Sequence, residues 1–458
     1  MIICVQGLGY VGSAMCVAIA MAKKNFKNKN FKVIGVDLPT VQGKKIINKI
    51  NNGIFPFRSN DGRLKLEIKK CTKSGILNAT ESTEVFKKAN IIIVSINCDL
   101  KKRNGKLEVD LEKFKKSIAE VIEKVGENTL IIVQSTVPPG TCKKLIKLIV
   151  KNIFLKRKLN PKKIYIAHSY ERVTPGKNYL DSIINNNRVY SGINKESADK
   201  CENFLKRIIN VKKYPLSRLQ DTNSSELGKL MENSYRAVNI AFIDEWNRLG
   251  DKLNVNLFDI INTIKKRPTH NNLKDPGLGV GGYCLTKDPL MAKLGAKQIW
   301  GINQKFDFSS LAVEVNKSMP FFVIEKIKNY FNNKLKNIKI LLLGITYKED
   351  IEDTRNSPSE LFFKKMLSMK AKVSVHDPLV DFWKEQNIKV IKSIPDISKF
   401  NLVVFAVKHI NYKKINFKNW KNKNKNFLIL DANNVLSNKQ RKIIKKKNFN
   451  LISIGRNT

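Results

Sequence analysis

The chain has 458 residues, 42% of them hydrophobic, which is enough for two or three domains that each bury a core. The formal net charge of +46 is mostly lysine scattered among asparagines, as in the runs 23–30 and 421–426. With no helix-turn-helix, zinc-finger or aromatic RNA motif beside it, this reads as a bias on solvated faces, and specific nucleic-acid binding is not expected. Apolar runs such as 91–96 and 402–407 are too short to span a bilayer, and no basic leader precedes the first strand. These features predict no membrane partner and a cytoplasmic location, and seven dispersed cysteines with four dispersed histidines predict reduced thiols and no metal site.

The first half alternates short branched-apolar runs with longer helical patterns, the mark of a parallel sheet covered by helices. Strands are expected at 2–6, 32–37, 91–96, 130–134, 164–167 and 188–192. Gly7-Leu8-Gly9-Tyr10-Val11-Gly12 follows the first strand and opens a helical pattern at 13–22, the context in which a glycine turn binds a dinucleotide pyrophosphate. Asp37 ends the second strand, where a carboxylate accepts from both ribose hydroxyls and repels a 2′-phosphate, so NAD is expected rather than NADP. The interval from Gly12 to Asp37 is long because it contains the 23–30 run. Ser135–Thr141 ends the fourth strand at the edge where open α/β sheets bind ligands. There Thr136 can donate to a cofactor or a water, or the two prolines can be plain turn chemistry. The loop 169–176 offers Glu171 at the same edge.

From about Leu216 to Asn332 the strand signal gives way to helices. The run 224–253 places Leu227, Leu230, Met231, Ala237, Val238, Ala241, Phe242 and Leu249 near helical period, and a second helix is expected over 311–331. Lys229 and Asn233, four apart, share a helix face, either as a polar surface or as a pair able to stabilise an oxyanion. Between the helices, Gly279-Val280-Gly281-Gly282-Tyr283-Cys284-Leu285-Thr286-Lys287-Asp288 sets one thiol behind a glycine run and ahead of an acid. That is a way to present a nucleophile, while Asp288-Pro289 also reads as a helix start. Strands return at 339–344, 372–376, 389–391, 402–407 and 427–431. The expected fold class is α/β: two Rossmann-like doubly wound domains, 1–215 and 333–458, joined by a central helical domain, 216–332.

Six motifs in this order resemble the UDP-glucose/GDP-mannose dehydrogenase family: the glycine turn at 7–12, Ser135–Thr141, the Glu171 loop, Glu226-Leu227-x-Lys229-x-x-x-Asn233, Gly279–Asp288, and Gly344–Asp350 through Asp353–Pro358. The resemblance covers essentially the whole chain. It implies four-electron oxidation of a UDP-sugar C6 alcohol to a uronic acid by two NAD, without a metal. Cys284 would carry a thiohemiacetal and then a thioester, Lys229 and Asn233 would stabilise the oxyanion, and Asp288, with Thr136 and Glu171 ordering water, would assist hydrolysis. By the same resemblance, Gly7, Gly9, Tyr10, Val11, Gly12, Asp37, Ser95, Thr136, Lys287 and Arg355 would hold the cofactor. Glu171, Arg172, Lys229, Asn233, Gly279, Gly281, Tyr347 and Lys348 would hold the UDP-sugar, with Arg267 reaching the site of a neighbouring subunit in a homodimer built on the central domain.

Three positions depart from the family pattern: Thr286 stands where a proline is usual, Asn97-Cys98 replaces Thr-Pro, and Asn433 stands where an arginine is common. Glu171-Arg172-Val173-x-Pro175-Gly176 and Gly281–Cys284 look closer to the branch acting on UDP-N-acetylhexosamines than to the UDP-glucose branch. UDP-glucose oxidation and a single-hydride hydroxy-acid dehydrogenase are the alternatives.

Overall fold

The computed structural model describes residues 1–22 and 31–456, so the lysine-asparagine run at 23–30 lies outside the described residues. The chain divides into two compact units. One comprises Met1–Glu232 with Met291–Lys305, and the other Asn233–Leu290 with Phe306–Thr458.

Among its described residues the first unit has ten strands: β1 Ile2–Gln6, β2 Lys32–Val36, β3 Leu77–Thr80, β4 Ile91–Val94, β5 Leu100–Arg103, β6 Lys106–Val109, β7 Leu130–Val133, β8 Tyr165–His168, β9 Arg188–Gly192 and β10 Leu216–Arg218. Eight of them form one sheet in the order β10-β9-β8-β7-β4-β1-β2-β3, and β5 with β6 makes a separate hairpin. Strands β4 and β7 are buried along their whole length, which is why continuous isoleucine and valine runs mark them in the sequence. Two findings modify the expected parallel sheet. Strands β8 and β9 pair antiparallel, and the sheet continues past Leu216 through β10. Edge strands β3 and β10 carry few apolar residues, so periodicity misses them.

The second unit contains β11 Lys339–Leu343, β12 Lys372–His376, β13 Phe382–Trp383, β14 Ile388–Lys389, β15 Leu402–Phe405, β16 Leu428–Asp431 and β17 Asn450–Ser453. Its five-stranded parallel sheet runs β12-β11-β15-β16-β17. The strand expected at 389–391 divides: β14 pairs antiparallel with β13 over two residues, and Ile391 makes one parallel bridge to His376 at the end of β12. Along β11, Ile340 and Leu342 enter one apolar cluster and Leu341 and Leu343 another, so the sheet is covered on both faces.

The expected helices are present as Thr222–Lys252 and Asp307–Tyr330. The apolar stripe of the first is only partly buried: Leu230, Ala237 and Ala241 are inside, whereas Leu227, Met231, Phe242 and Leu249 remain exposed. Among the described residues no helix is long and apolar enough to cross a membrane.

Candidate active site

In the first unit, β1 runs straight into Gly7, which adopts φ +90° and donates its N–H to the Val36 carbonyl at 2.8 Å. A Cβ at Gly7 would lie 2.6 Å from the Ser95 carbonyl oxygen, and one at Gly12 would lie 1.8 Å from the Gly7 carbonyl, so neither position admits a side chain. Around Gly9 nothing lies within 4 Å of such a Cβ, which leaves the turn open to a ligand. The helix Tyr10–Ala20 starts here with Gly9 as its cap and no acid in its first turn, as a pyrophosphate requires. Asp37 is fixed beside the turn by accepting the N–H groups of Leu8 (3.1 Å) and Leu38 (2.8 Å), and the Tyr10 ring stacks on Phe57 at 4.0 Å. These residues fit a dinucleotide carrying a free ribose 2′-hydroxyl.

The opening turns of the helix Thr222–Lys252 organise the strand ends of the same sheet. Ser225 Oγ bonds His168 Nδ1 at the end of β8 (2.8 Å) and Ser191 Oγ on β9 (2.6 Å). Glu226, fully buried, accepts the N–H groups of Gly140 (2.7 Å) and Cys142 (2.8 Å), closing the segment that carries half-buried Thr136. Lys229 Nζ donates to the Glu171 carbonyl at 2.9 Å, and the Glu171 carboxylate accepts the Val173 N–H. Arg172 is drawn to Glu232 at 3.0 Å and to the Asn187 carbonyl at 3.0 Å. Thr136, Glu171, Arg172 and Lys229, read from separate motifs, are thus tied to one helix.

Burial pushes the His168 imidazole down to about 3, so the folded protein holds it neutral. An unfolded chain takes up that proton near pH 6.5, and folding stability therefore falls as pH drops from about 6.5 toward 3. The loss amounts to a few kcal/mol, because each tenfold difference in proton affinity between the folded and unfolded chain is worth roughly 1.4 kcal/mol. The variant His168→Asn, which keeps a polar atom near Nδ1, is expected to flatten this part of the curve. Urea melts at pH 4.5 and 6.5 measure it, and an unchanged pH slope contradicts the assignment.

The cysteines divide sharply between the units. Cys284, in the second, is exposed, whereas Cys4, Cys16, Cys71, Cys98, Cys142 and Cys201, all in the first, are buried. The Cys284 carbonyl accepts the N–H groups of Lys287 (3.1 Å) and Asp288 (2.9 Å) in the turn that leads into the helix Asp288–Trp300. The Asp288 carboxylate is completely buried. Lys287 Nζ donates to one of its oxygens at 2.7 Å and Asn233 Nδ2 to the other at 2.8 Å. Lys287 and Arg355 both lie over the Tyr283 ring, at 4.4 and 5.5 Å, and Arg355 also pairs with Asp353.

Gly282 (φ +82°) donates to the Arg355 carbonyl at 3.0 Å, and a Cβ there would strike the Tyr347 ring at 2.7 Å. Thr286, in place of the usual proline, donates its hydroxyl to the Gly282 carbonyl at 2.9 Å, so a hydrogen bond replaces ring rigidity in holding the turn. Burial, with the nearby Asp353 and Cys284 charges adding, pushes the Tyr347 hydroxyl up to about 12. Gly279 and Gly281 pack against Pro358, and the Asn433 side chain donates to the Ala406 carbonyl. Lys348 is half-buried, with its carbonyl accepting from Thr346, and Arg267 is exposed at the cap of the short helix Pro268–His270.

Two groups stand out that the motifs alone did not assign. Glu226 lies three residues before Lys229 and so on its helix face, the one sequence signal for it. His409, buried, accepts the Asp350 N–H at 3.0 Å and sits 3.1 Å from Thr346, bracing the loop of Tyr347 and Lys348. No spacing predicts that contact, because His409 comes 59 residues after Asp350.

A dinucleotide turn on a doubly wound sheet, and an exposed cysteine in the turn that leads to a buried carboxylate, are the parts of an NAD-dependent dehydrogenase. The chain belongs to the UDP-glucose/GDP-mannose dehydrogenase family: the family's NAD-binding domain matches residues 1–210, its central domain 223–318 and its UDP-binding domain 341–438. It is therefore an NAD-dependent nucleotide-sugar dehydrogenase. Among its relatives are UDP-N-acetyl-D-mannosamine dehydrogenases of Methanocaldococcus jannaschii, 32% identical over 99% of this chain and 96% of that one, and of Methanococcus maripaludis, 33% identical with the same coverage. The solved UDP-D-ManNAc dehydrogenase structure from Pyrococcus horikoshii is 26% identical, covers 100% of both chains and superposes with a TM-score of 0.80. The likeness to the UDP-N-acetylhexosamine branch read from the Glu171 and Cys284 motifs is borne out.

Proposed function

We propose that the protein oxidises the C6 alcohol of UDP-N-acetyl-D-mannosamine to the uronic acid, with two NAD+ reduced per product. The observation that carries this reading is the exposed Cys284 in the turn that leads into the buried Asp288 carboxylate, clamped by Lys287 and Asn233. Two NAD+ molecules, bound in turn, would each take one hydride from C6, the first from the alcohol and the second in a later step. The Cys284 thiolate adds to the C6 aldehyde, forming a C–S bond. Loss of the C6 hydride then leaves a thioester, and water cleaves that bond to return the thiol and release the acid.

Lys229 and Asn233 stabilise the oxyanion, and Asp288 assists general-base hydrolysis of the thioester while Thr136 and Glu171 order the attacking water. Gly7, Gly9, Gly12, Asp37, Ser95, Lys287 and Arg355 serve the cofactor, while Gly279, Gly281, Tyr347, Lys348, Arg172 and Arg267 serve the nucleotide sugar. The functional division is 1–215, 216–332 and 333–458. A homodimer covers the exposed Tyr235, Phe242, Trp246 and Leu249 of the central helix and Leu253 just beyond it, apolar area that a monomer would leave in water. The location is the cytoplasm.

Incubating the purified protein with NAD+ and, separately, UDP-N-acetylmannosamine, UDP-N-acetylgalactosamine, UDP-N-acetylglucosamine and UDP-glucose tests the reading. The expected result is two NADH per acid with the first sugar at the highest kcat/KM. One NADH per product, or a preference for UDP-glucose, overturns it.

A further inference from the structure

Glu226 belongs to the helix motif, yet the chemistry above gives it nothing to do. Its carboxylate is 0% exposed and accepts two backbone N–H groups, Gly140 and Cys142, that flank the start of the turn 141–146. The segment it closes is Thr136–Gly140, which is held independently at its other side. There the Trp300 indole N–H donates to the Pro139 carbonyl at 2.8 Å, and Gly295 leaves room for Pro138, whose Cβ would lie 2.2 Å from any Cβ placed there. Without Glu226, both amides lose that acceptor, and the segment keeps the Trp300 contact and the local bond from the Thr141 hydroxyl to the Pro138 carbonyl (2.7 Å).

We propose that Glu226 is the positioning residue of the Thr136 segment, acting as a latch whose hold depends on its proton. The inference rests on the dehydrogenase reading for its kinetic consequence, on the two hydrogen bonds for the positioning, and on the burial of the carboxyl for the pH dependence. Burial pushes the carboxyl up to about 7 in the closed segment, against an ordinary value near 4.5 once hydrated. The closed form therefore prefers the protonated acid. Opening, which hydrates the group, becomes easier as pH rises from about 5 to about 7 and levels off beyond. The ionisable group that faces it is the Cys142 thiol, held neutral far above its usual range by burial and by Glu226 itself. Lys229 is turned to the Glu171 carbonyl, Lys143 is paired with Asp221, Lys144 lies over the Trp300 ring and His168 is bonded to Ser225.

Amide hydrogen exchange on the intact, ligand-free chain reads the latch directly. In the wild type, protection of the Gly140 and Cys142 amides, corrected for intrinsic exchange, is expected to fall at least about tenfold between pH 5 and pH 8, because a difference in proton affinity between closed and open forms carries over in full to the opening equilibrium. In Glu226→Gln, which keeps one acceptor and no titratable proton, protection is expected to be lower at pH 5 and independent of pH, with kcat reduced and the KM for the UDP-sugar within about twofold of wild type. Flat wild-type protection overturns the proposal and needs no variant, so a Gln variant that fails to fold does not shelter it. A pH slope that survives in the variant overturns it equally. If the wild type oxidises no UDP-sugar, the function proposed above fails while the exchange result still decides the latch.

Discussion

Replacing Cys284 by alanine is expected to lower steady-state NADH formation at least about 10³-fold, with little change in folding stability. Cys284 is exposed, so its removal opens no interior cavity, and the effect on melting should be small. The turn around it is held without the sulfur, by the Lys287 and Asp288 N–H groups on the Cys284 carbonyl and by Thr286 on Gly282. The activity loss therefore belongs to chemistry. Rapid-quench analysis should show the sugar stopping at the aldehyde level or remaining alcohol, with no uronic acid. A variant that still releases acid with two NADH removes the thiol from the mechanism and returns the single-hydride alternative.

Much of this could be read in the sequence because the relevant segments obey local rules. The turn at 7–12 sits between a buried strand and a helix start, and the structure gives it the backbone that those glycines permit. Strands buried on both faces were visible for the same reason. What the sequence hid was of two kinds. Edge elements such as β3, β10 and β17 bury only alternate or few residues, so they carry little periodicity. Long-range polar contacts carry none at all: Glu226 to Gly140, Lys229 to the Glu171 carbonyl, and His409 to Asp350 are each made by residues at least 58 apart, and only folding brings them together. The helix Thr222–Lys252 shows a third limit. Its period was right, but Leu227, Met231, Phe242 and Leu249 stay exposed, since apolar spacing does not say whether the covering surface belongs to the same chain.

The second large effect is expected at Asp288, on stability as well as activity. Its carboxylate is 0% exposed and Lys287 has only 10% of its side chain exposed, so the pair is a buried ion pair completed by the Asn233 amide. Removing one partner from such a pair leaves the other charge buried and uncompensated, which costs about 3–5 kcal/mol. Asp288→Ala should therefore lower the urea midpoint markedly and abolish turnover, and Lys287→Ala should destabilise comparably. The double variant Lys287→Met, Asp288→Leu separates this account from simple loss of packing. With neither charge left, it should be more stable than either single alanine variant although it too is inactive, because apolar residues of similar volume replace a buried ion pair at small cost. If the single-variant losses simply add in the double variant, the two side chains act independently, and the carboxylate held ready beside the Cys284 turn is not organised by Lys287.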